Sequence, residues 1–213
     1  MPSPRDIPQV KKLWHELPYD KYIVKYTPEL EAYTIARDFF LKHNEYTHFV
    51  VCPDDLEVTK EGLETLLNYT KLYPIISGIS NIDEDRPYVY AVQPLGCDFT
   101  RDHPPSQKWY SDDGDYNGVR MPDKLIIQVG HSGFCCEVIS REVMDKVSWV
   151  GSSNGGRGHF DWQFSKDCHE LGIPIHVHFS VNFWHRRNEQ QIKTMLHKNT
   201  DENIGYEFWL IDR

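Results

Sequence analysis

The sequence predicts an α/β fold: one domain with a mostly parallel, mixed central sheet flanked by helices, its first strand short or missing. Three observations predict it. Helical and extended patterns alternate through the first half of the chain, as they do where helices connect the strands of an open sheet. An apolar run, Phe49 to Cys52, reads as a buried strand and runs straight into Pro53, Asp54 and Asp55. The second half mixes strands and loops without a repeat or linker, so residues 1–213 read as a single unit, with 186–213 as a C-terminal helix and tail.

Each element has its own local cause. Ile7 to Leu17 carries Val10, Leu13, Trp14 and Leu17 at helical spacing, and Pro8 suits a first turn. Tyr22 to Tyr26 is a short strand. Thr27 caps a helix that opens on Pro28 and runs to about His43, with Leu30, Ile35, Ala36, Phe39 and Phe40 inward. After the strand at 49–52, Thr59 caps a helix with Leu63, Leu66, Leu67 and Thr70 on one face. Ile75 to Ile79 and Tyr88 to Gln93 are strands. From Cys97 to Pro122 the pattern dissolves into Asp, Pro, Gly and Ser with aromatics, a loop long enough to suggest a function.

Lys124 to Val129 and Phe134 to Ile139 read as strands, and Ser140 caps a short helix through Val147. Gly151 to Gly158 is a Gly/Ser/Asn stretch. Phe160 to Leu171 is a helix with Phe160, Phe164, Cys168 and Leu171 inward, stopped by Gly172. Ile175 to Phe179 is a strand and Gln190 to His197 a final helix. The tail is apolar at Tyr206, Phe208, Trp209 and Leu210, suited to fold back on the core or to pair with a second chain as a homo-oligomer.

Composition narrows the function. A chain of 213 residues can bury a sizeable core. A net charge of −9, with acids scattered, argues against a nucleic-acid partner, which needs a basic face. The five cysteines are odd in number and lack CxxC spacing, as expected of a reduced, cytoplasmic chain. No apolar run reaches the ~18 residues of a transmembrane segment, and no basic-then-apolar leader opens the chain.

Three places carry candidate chemistry. Asp54 and Asp55 follow a buried strand, where α/β proteins bind ligands and where paired carboxylates suit a divalent cation; the alternative is an acidic turn. Asp161 opens a helix directly after the glycine-rich stretch. It is either an acid favoured by the helix N-terminus or a general base at a loop mouth. His185 follows the strand at 175–179 and matters if it meets Asp55, since Asp and His together suit manganese or magnesium. Tyr33 and Arg37, one helical turn apart, form a surface pair or contact a nucleotide. His176 and His178 read as facing opposite sides of their strand, unable to share a metal. Cys135 and Cys136 read as core residues.

The order of these features resembles the GT-A glycosyltransferases, family 2-like, over Tyr22 to His185. Pro53-Asp54-Asp55 looks like the DxD motif, with Pro53 at the position of the first acid. His131-Ser132-Gly133-Phe134-Cys135-Cys136 with Arg141-Glu142-Val143 resembles the segment bordering donor sugar and acceptor, and Asp161-Trp162-Gln163-Phe164 the motif of the catalytic acid. The resemblance implies a Rossmann-like GT-A domain that moves a hexose-type sugar from a nucleotide-diphosphate sugar to a carbohydrate, lipid-linked or protein acceptor. Asp161 would be the base, and Asp55, Asp54 and His185 the ligands of Mn2+ or Mg2+. Asp54, Asp55, Arg37, Tyr33 and Gly133 would line the donor. The opening strand of that fold shrinks to Pro2-Ser3-Pro4-Arg5. Two rivals stand: a non-catalytic nucleotide- or sugar-binding protein on the same scaffold, and a sugar-phosphate nucleotidyltransferase. The second is disfavoured because no glycine precedes Gly62.

Overall fold

The computed structural model describes residues 8–24, 29–52, 56–81, 88–90, 92–100, 118–120, 124–148, 160–185 and 206–211. Its helices are α1 (Pro8–Glu16), α2 (Glu29–Lys42), α3 (Lys60–Asn68), α4 (Arg141–Lys146) and α5 (Phe160–Glu170). Its strands are β1 (Asp20–Val24), β2 (His48–Val51), β3 (Leu56–Glu57), β4 (Ile75–Asn81), β5 (Tyr88–Tyr90), β6 (Val92–Gln93), β7 (Gly118–Arg120), β8 (Ile126–Val129), β9 (His131–Ser132), β10 (Glu137–Ser140), β11 (Ile175–His185) and β12 (Tyr206–Ile211). The α/β class holds. The main sheet has eight strands in the order β1-β12-β2-β10-β4-β11-β3, with β8 also on β11. Two strand pairs, β5-β7 and β6-β9, stand apart from it.

The expectation of a mostly parallel sheet is corrected. Among the described pairings only β4–β11 is parallel; β1–β12, β12–β2, β2–β10, β10–β4, β11–β3 and β11–β8 are antiparallel. The reason is insertion. Two antiparallel steps separate β1 from β2, and two more separate β2 from β4, so β1, β2, β4 and β11 run in one sense. The helices between successive strands do return the chain in one direction. The late strands β12 and β10 then slot between them in the opposite sense.

The sheet divides the core into two layers, because successive strand residues point to opposite faces. Phe49, Val51, Ile75 and Ile139 join the layer under α2, α4 and α5; Val50, Cys52, Ile76 and Val138 join the layer under α1 and α3. In the second layer Phe183 is wedged between two glycines. A Cβ on Gly62 of α3 would stand 2.6 Å from its ring, and one on Gly78 of β4 would stand 2.5 Å from the other edge. In the first layer, Arg141 fastens α2. It donates to the carbonyls of Phe40 (2.8 Å), His43 (2.6 Å) and Tyr46 (2.8 Å) and stacks over the Phe40 ring at 4.3 Å. A cation there also opposes the negative end of the helix.

Local expectations fare unevenly. Thr59 caps α3 by accepting from Gly62 N at 3.1 Å, and Gly172 stops α5 with φ +67°. Ser140 stands at the N-cap of α4, but its hydroxyl makes no capping bond. Leu171 is half exposed rather than inward. Gly118–Arg120 is a strand within the expected long loop, and the tail pairs inside its own chain as β12. The expected strand from Phe134 begins only at Glu137. Phe134 (φ 54°) and Cys136 (φ 56°) take left-handed backbone, which bends the chain ahead of β10. The stub 2–5, the stretch 151–158 and the helix expected at 190–197 lie outside the described residues.

Candidate functional site

The strands of common sense all finish at one end of the sheet, where α/β sheets bind ligands. β2 delivers Val51 and Cys52 there, immediately before Pro53. Antiparallel β10 starts at the same end, with Glu137 beside both Val51 of β2 and Ser77 of β4. The bend at Gly133–Cys136 leads into it. Ser77 Oγ donates to Cys135 O at 3.2 Å, and Ser80 Oγ lies 3.0 Å from Cys135 Sγ. Burial pushes the Cys135 thiol up to about 12, so it is a poor nucleophile.

The first turn of α5 closes over this end. Asp161 is its second residue, held there because Phe160 and Phe164 sink into the core on either side of it. Asp161 Oδ1 accepts from Trp162 N at 2.7 Å. Its Oδ2 faces Nε2 of fully buried His131 at 4.0 Å, while the aspartate side chain stays 26% exposed. On its other side His131 Nδ1 lies 2.9 Å from Ser165 Oγ, one helical turn beyond Asp161. Ser165 Oγ in turn donates to Asp161 O at 2.8 Å. Trp162 meets the imidazole edge-on at 5.1 Å. His131 is carried by β9, whose partner β6 sets Gln93 opposite it and Val92 opposite Ser132.

Glu137 completes the polar set. It is fully buried, and burial first, then the Asp161 charge, push its carboxyl up to about 8. The Ser132 hydroxyl lies close enough to oppose that rise but falls short of hydrogen-bond geometry. Among the described residues, both Glu137 oxygens, the Ser132 hydroxyl and both amide atoms of Gln93 are buried without a hydrogen-bond partner. Such groups cost about 1–3 kcal/mol each when left unpaired. They concentrate donors and acceptors at one end of an otherwise apolar layer.

The predicted site residues distribute as follows. Asp161 and Gly133 stand at this end. Tyr33 is buried, not a surface residue, and stacks on Phe160 at 4.7 Å, next to Asp161. Arg37 donates to Met144 O (3.2 Å) and Val147 O (3.0 Å), tying α2 to the end of α4. Asp54 and Asp55 lie outside the described residues. His185 belongs to β11 itself, which runs on past Phe179, and pairs with Leu56, the residue after Asp55 in sequence. His176 and His178 share one face, as residues two apart on a strand must. They pack against Tyr73 and Tyr69 respectively, and burial lowers both pKa values.

Glu137 and Gln93 were not singled out from sequence, and His131 only as part of the segment His131–Cys136. Glu137 does leave a trace there, as a lone acid within the apolar run Phe134 to Ile139. Gln93 leaves none, and the segment gives His131 no role of its own, because both depend on the β6–β9 pairing. Among the described residues no group of three or more His, Cys, Asp or Glu side chains is arranged to hold a metal ion. An Asp, Asp and His donor set suits Mn2+ or Mg2+ in chemistry, and the β11–β3 register brings the backbone of His185 alongside the residue that follows Asp55. Among the described residues no helix is long and apolar enough to cross a membrane.

Neither a protein-family model nor a curated protein matches the sequence. Among solved structures, the crystal structure of A197 from STIV aligns with a TM-score of 0.45 and 15% identity, over 73% of this chain and 65% of that one. The chain therefore spans a little under two thirds of that protein's length, and a likeness at this level says nothing about activity.

Proposed function

We propose that this protein is a metal-dependent, inverting glycosyltransferase. It would move a sugar from a nucleotide-diphosphate donor to an acceptor hydroxyl, with Asp161 as general base. The observation that carries the reading is the position of Asp161. It is a partly exposed carboxylate on the first turn of a helix, at the ligand-binding end of the sheet, against a wall of buried polar groups. The sequence order of Asp54-Asp55, Asp161 and His185 supports it, as does the register between His185 and Leu56.

In this reading Asp161 takes the proton of the acceptor hydroxyl, and the oxygen attacks the anomeric carbon from the face opposite the diphosphate. A divalent cation held by Asp55, Asp54 and His185 would supply charge neutralisation for the departing diphosphate. Tyr33 and Gly133 would border the donor. Arg37, spent on two carbonyls of α4 and its end, would act on the donor only by holding α2 in place. The five free cysteines, four of them buried, support a reducing, cytoplasmic setting.

The test is a panel of nucleotide sugars with manganese, scored for transfer and hydrolysis, in the native protein and in Asp161→Asn. The variant should lose transfer while keeping the rise in melting temperature that uridine or guanosine diphosphate gives with manganese. Full transfer by Asp161→Asn would overturn the base assignment. No thermal shift with any nucleotide would favour a non-catalytic binding protein.

A further inference from the structure

His176 and His178, near the start of β11, stand apart from the candidate site. Residues two apart on a strand lie about 6.6 Å from one another and point to the same side. The ring contacts agree. His176 packs on Tyr73 at 4.2 Å and His178 on Tyr69 at 5.1 Å. Tyr69 caps the C-terminal end of α3 and Tyr73 follows it, with the two phenol rings 6.3 Å apart. The tyrosines form a wall against which both imidazoles lean, so neither ring turns into the other layer.

Nδ1 is accounted for in both rings. In His178 it lies 3.1 Å from Ser180 Oγ, and in His176 it is buried. That leaves Nε2 of each ring as the ligating atom. A ring oriented through its other nitrogen is the usual arrangement of a histidine that binds metal. Burial holds both pKa values below the ordinary histidine range, so both rings are neutral at pH 7, the form that ligates. Gln128 stands directly opposite His176 across the β8–β11 pair. Such neighbours share a face, with Cβ atoms about 4.5–5.5 Å apart. Gln128 is exposed and His176 partly so, which opens this corner to solvent, while His178 is buried beside it.

We propose that His176 and His178 form a two-histidine site for a divalent transition metal of the zinc or copper kind, with Gln128 and water completing the shell. Imidazole nitrogens suit these ions, whereas magnesium and manganese prefer oxygen. A tetrahedral zinc with bonds of about 2.0–2.1 Å needs its two nitrogens about 3.4 Å apart. Two side chains rooted about 6.6 Å apart reach that by leaning together. The site is distinct from the one proposed for Asp54, Asp55 and His185, because His176 and His185 lie near opposite ends of β11, separated by roughly 25–30 Å of strand. It stands whether or not the protein is a glycosyltransferase. Two protein ligands make an exchangeable site, since closed structural zinc sites take four. Metal bound here stabilises the fold according to its concentration.

The test uses the untagged full chain, stripped of metal by a chelator, with zinc chloride as the probe. Calorimetric titration should find zinc binding, and zinc should raise the melting temperature. X-ray absorption of the equimolar complex should show two imidazole nitrogens at about 2.0–2.1 Å. His176→Gln and His178→Gln should each weaken binding on the order of 10-fold or more. Ser180→Ala is a change at an exposed position that leaves both rings in place. It should also weaken binding on the order of 10-fold, the scale of a partner that orients a ligating histidine. Absence of zinc binding, binding that none of the three variants weakens, or a spectrum without two imidazoles would each overturn the proposal. Should a histidine variant fail to fold, the Ser180 variant and the native spectrum still decide it.

Discussion

The two layers of the core are built from the same strands and behave as opposites. Under α1 and α3 the layer is mainly apolar: Val50, Leu56, Leu63, Leu66, Ile76 and Val138 cluster with Phe183, whose ring fits because Gly62 and Gly78 have no side chains, and the polar exception is His178 beside Tyr69. Under α2, α4 and α5 the layer is equally apolar at one end, but at the other Glu137, His131, Ser132, Gln93 and Ser165 are buried together. A protein gains nothing in stability from burying five polar side chains of which three lack hydrogen-bond partners among the described residues. The layer under α1 and α3 is therefore where the fold is held, and the layer under α2, α4 and α5 is where stability has been given up at the candidate site. Substitutions in the two layers should separate these roles.

The largest effect on stability belongs to the apolar layer. Phe183 is 1% exposed and pinned at both ring edges. Phe183→Ala should lower the unfolding free energy by about 3–5 kcal/mol, as removal of buried rings does. Urea titration checks this, and a loss below 1 kcal/mol would mean that the layer collapses to fill the space.

Glu137 gives the second effect, and it depends on pH. Its carboxyl is raised from 4.5 to about 8 in the folded protein. Below pH 4.5 both folded and unfolded chains hold the proton. Between 4.5 and about 8 only the folded chain does, so the stability this proton contributes falls as pH rises and is gone above the folded value. Glu137→Gln cannot lose a proton. It should match the native protein near pH 4.5 and exceed it at pH 9 by on the order of a few kcal/mol. Melting curves from pH 5 to 9 on both proteins measure the widening gap. A constant gap would show that Glu137 is ionised in the fold. Asp161, Cys135 and Cys168 stand near enough to interact with it, so their titration must be tracked in the same series.

How far the sequence revealed these layers follows from what each residue depends on. Local periodicity is enough for α1, α2, α3 and α5, because a helix's inward stripe is written within one segment. Val10 with Trp14, and Phe160 with Phe164 and Cys168, were legible for that reason. The common sense of β1, β2, β4 and β11 follows from the helices that return the chain, but the mostly parallel sheet that this suggested is not what forms. Adjacency was not legible, because β10 and β12 are placed by pairing with strands far away in sequence. The site divides in the same way. Asp161 announces itself by following a glycine-rich stretch at a helix start. His131 and Ser165 become partners only when β9 packs on α5. Glu137 sits within an apolar run that sequence reading assigns to core, and only the bend at Phe134 and Cys136 explains how the acid comes to begin a strand.

The third prediction is a change of sign within the apolar layer. Gly62→Ala introduces a Cβ 2.6 Å from the Phe183 ring and should cost about 1–3 kcal/mol, the range for overpacking. The ring cannot retreat, since its other edge abuts Gly78. In a Phe183→Ala background the obstacle is gone, and alanine's helix preference, about 1 kcal/mol over glycine, should make Gly62→Ala neutral or stabilising. A double-mutant cycle measures the coupling. Equal costs in both backgrounds would show that Thr59 Oγ1, 3.0 Å from the same position, is the true obstacle.

Asp161→Asn should have the smallest effect on stability. The amide oxygen can still accept from Trp162 N, and Ser165 bonds the main-chain carbonyl, which the substitution leaves alone. What is lost is a negative charge on the first turn of α5, about 0.3–1 kcal/mol. Urea titration should therefore find the variant within 1 kcal/mol of the native protein while transfer is abolished. A larger loss would make Asp161 a structural cap, and the polar end of the layer would then hold the fold as the apolar layer does. A near-native stability with lost transfer would keep the two layers distinct, with variants around Phe183 acting on stability first.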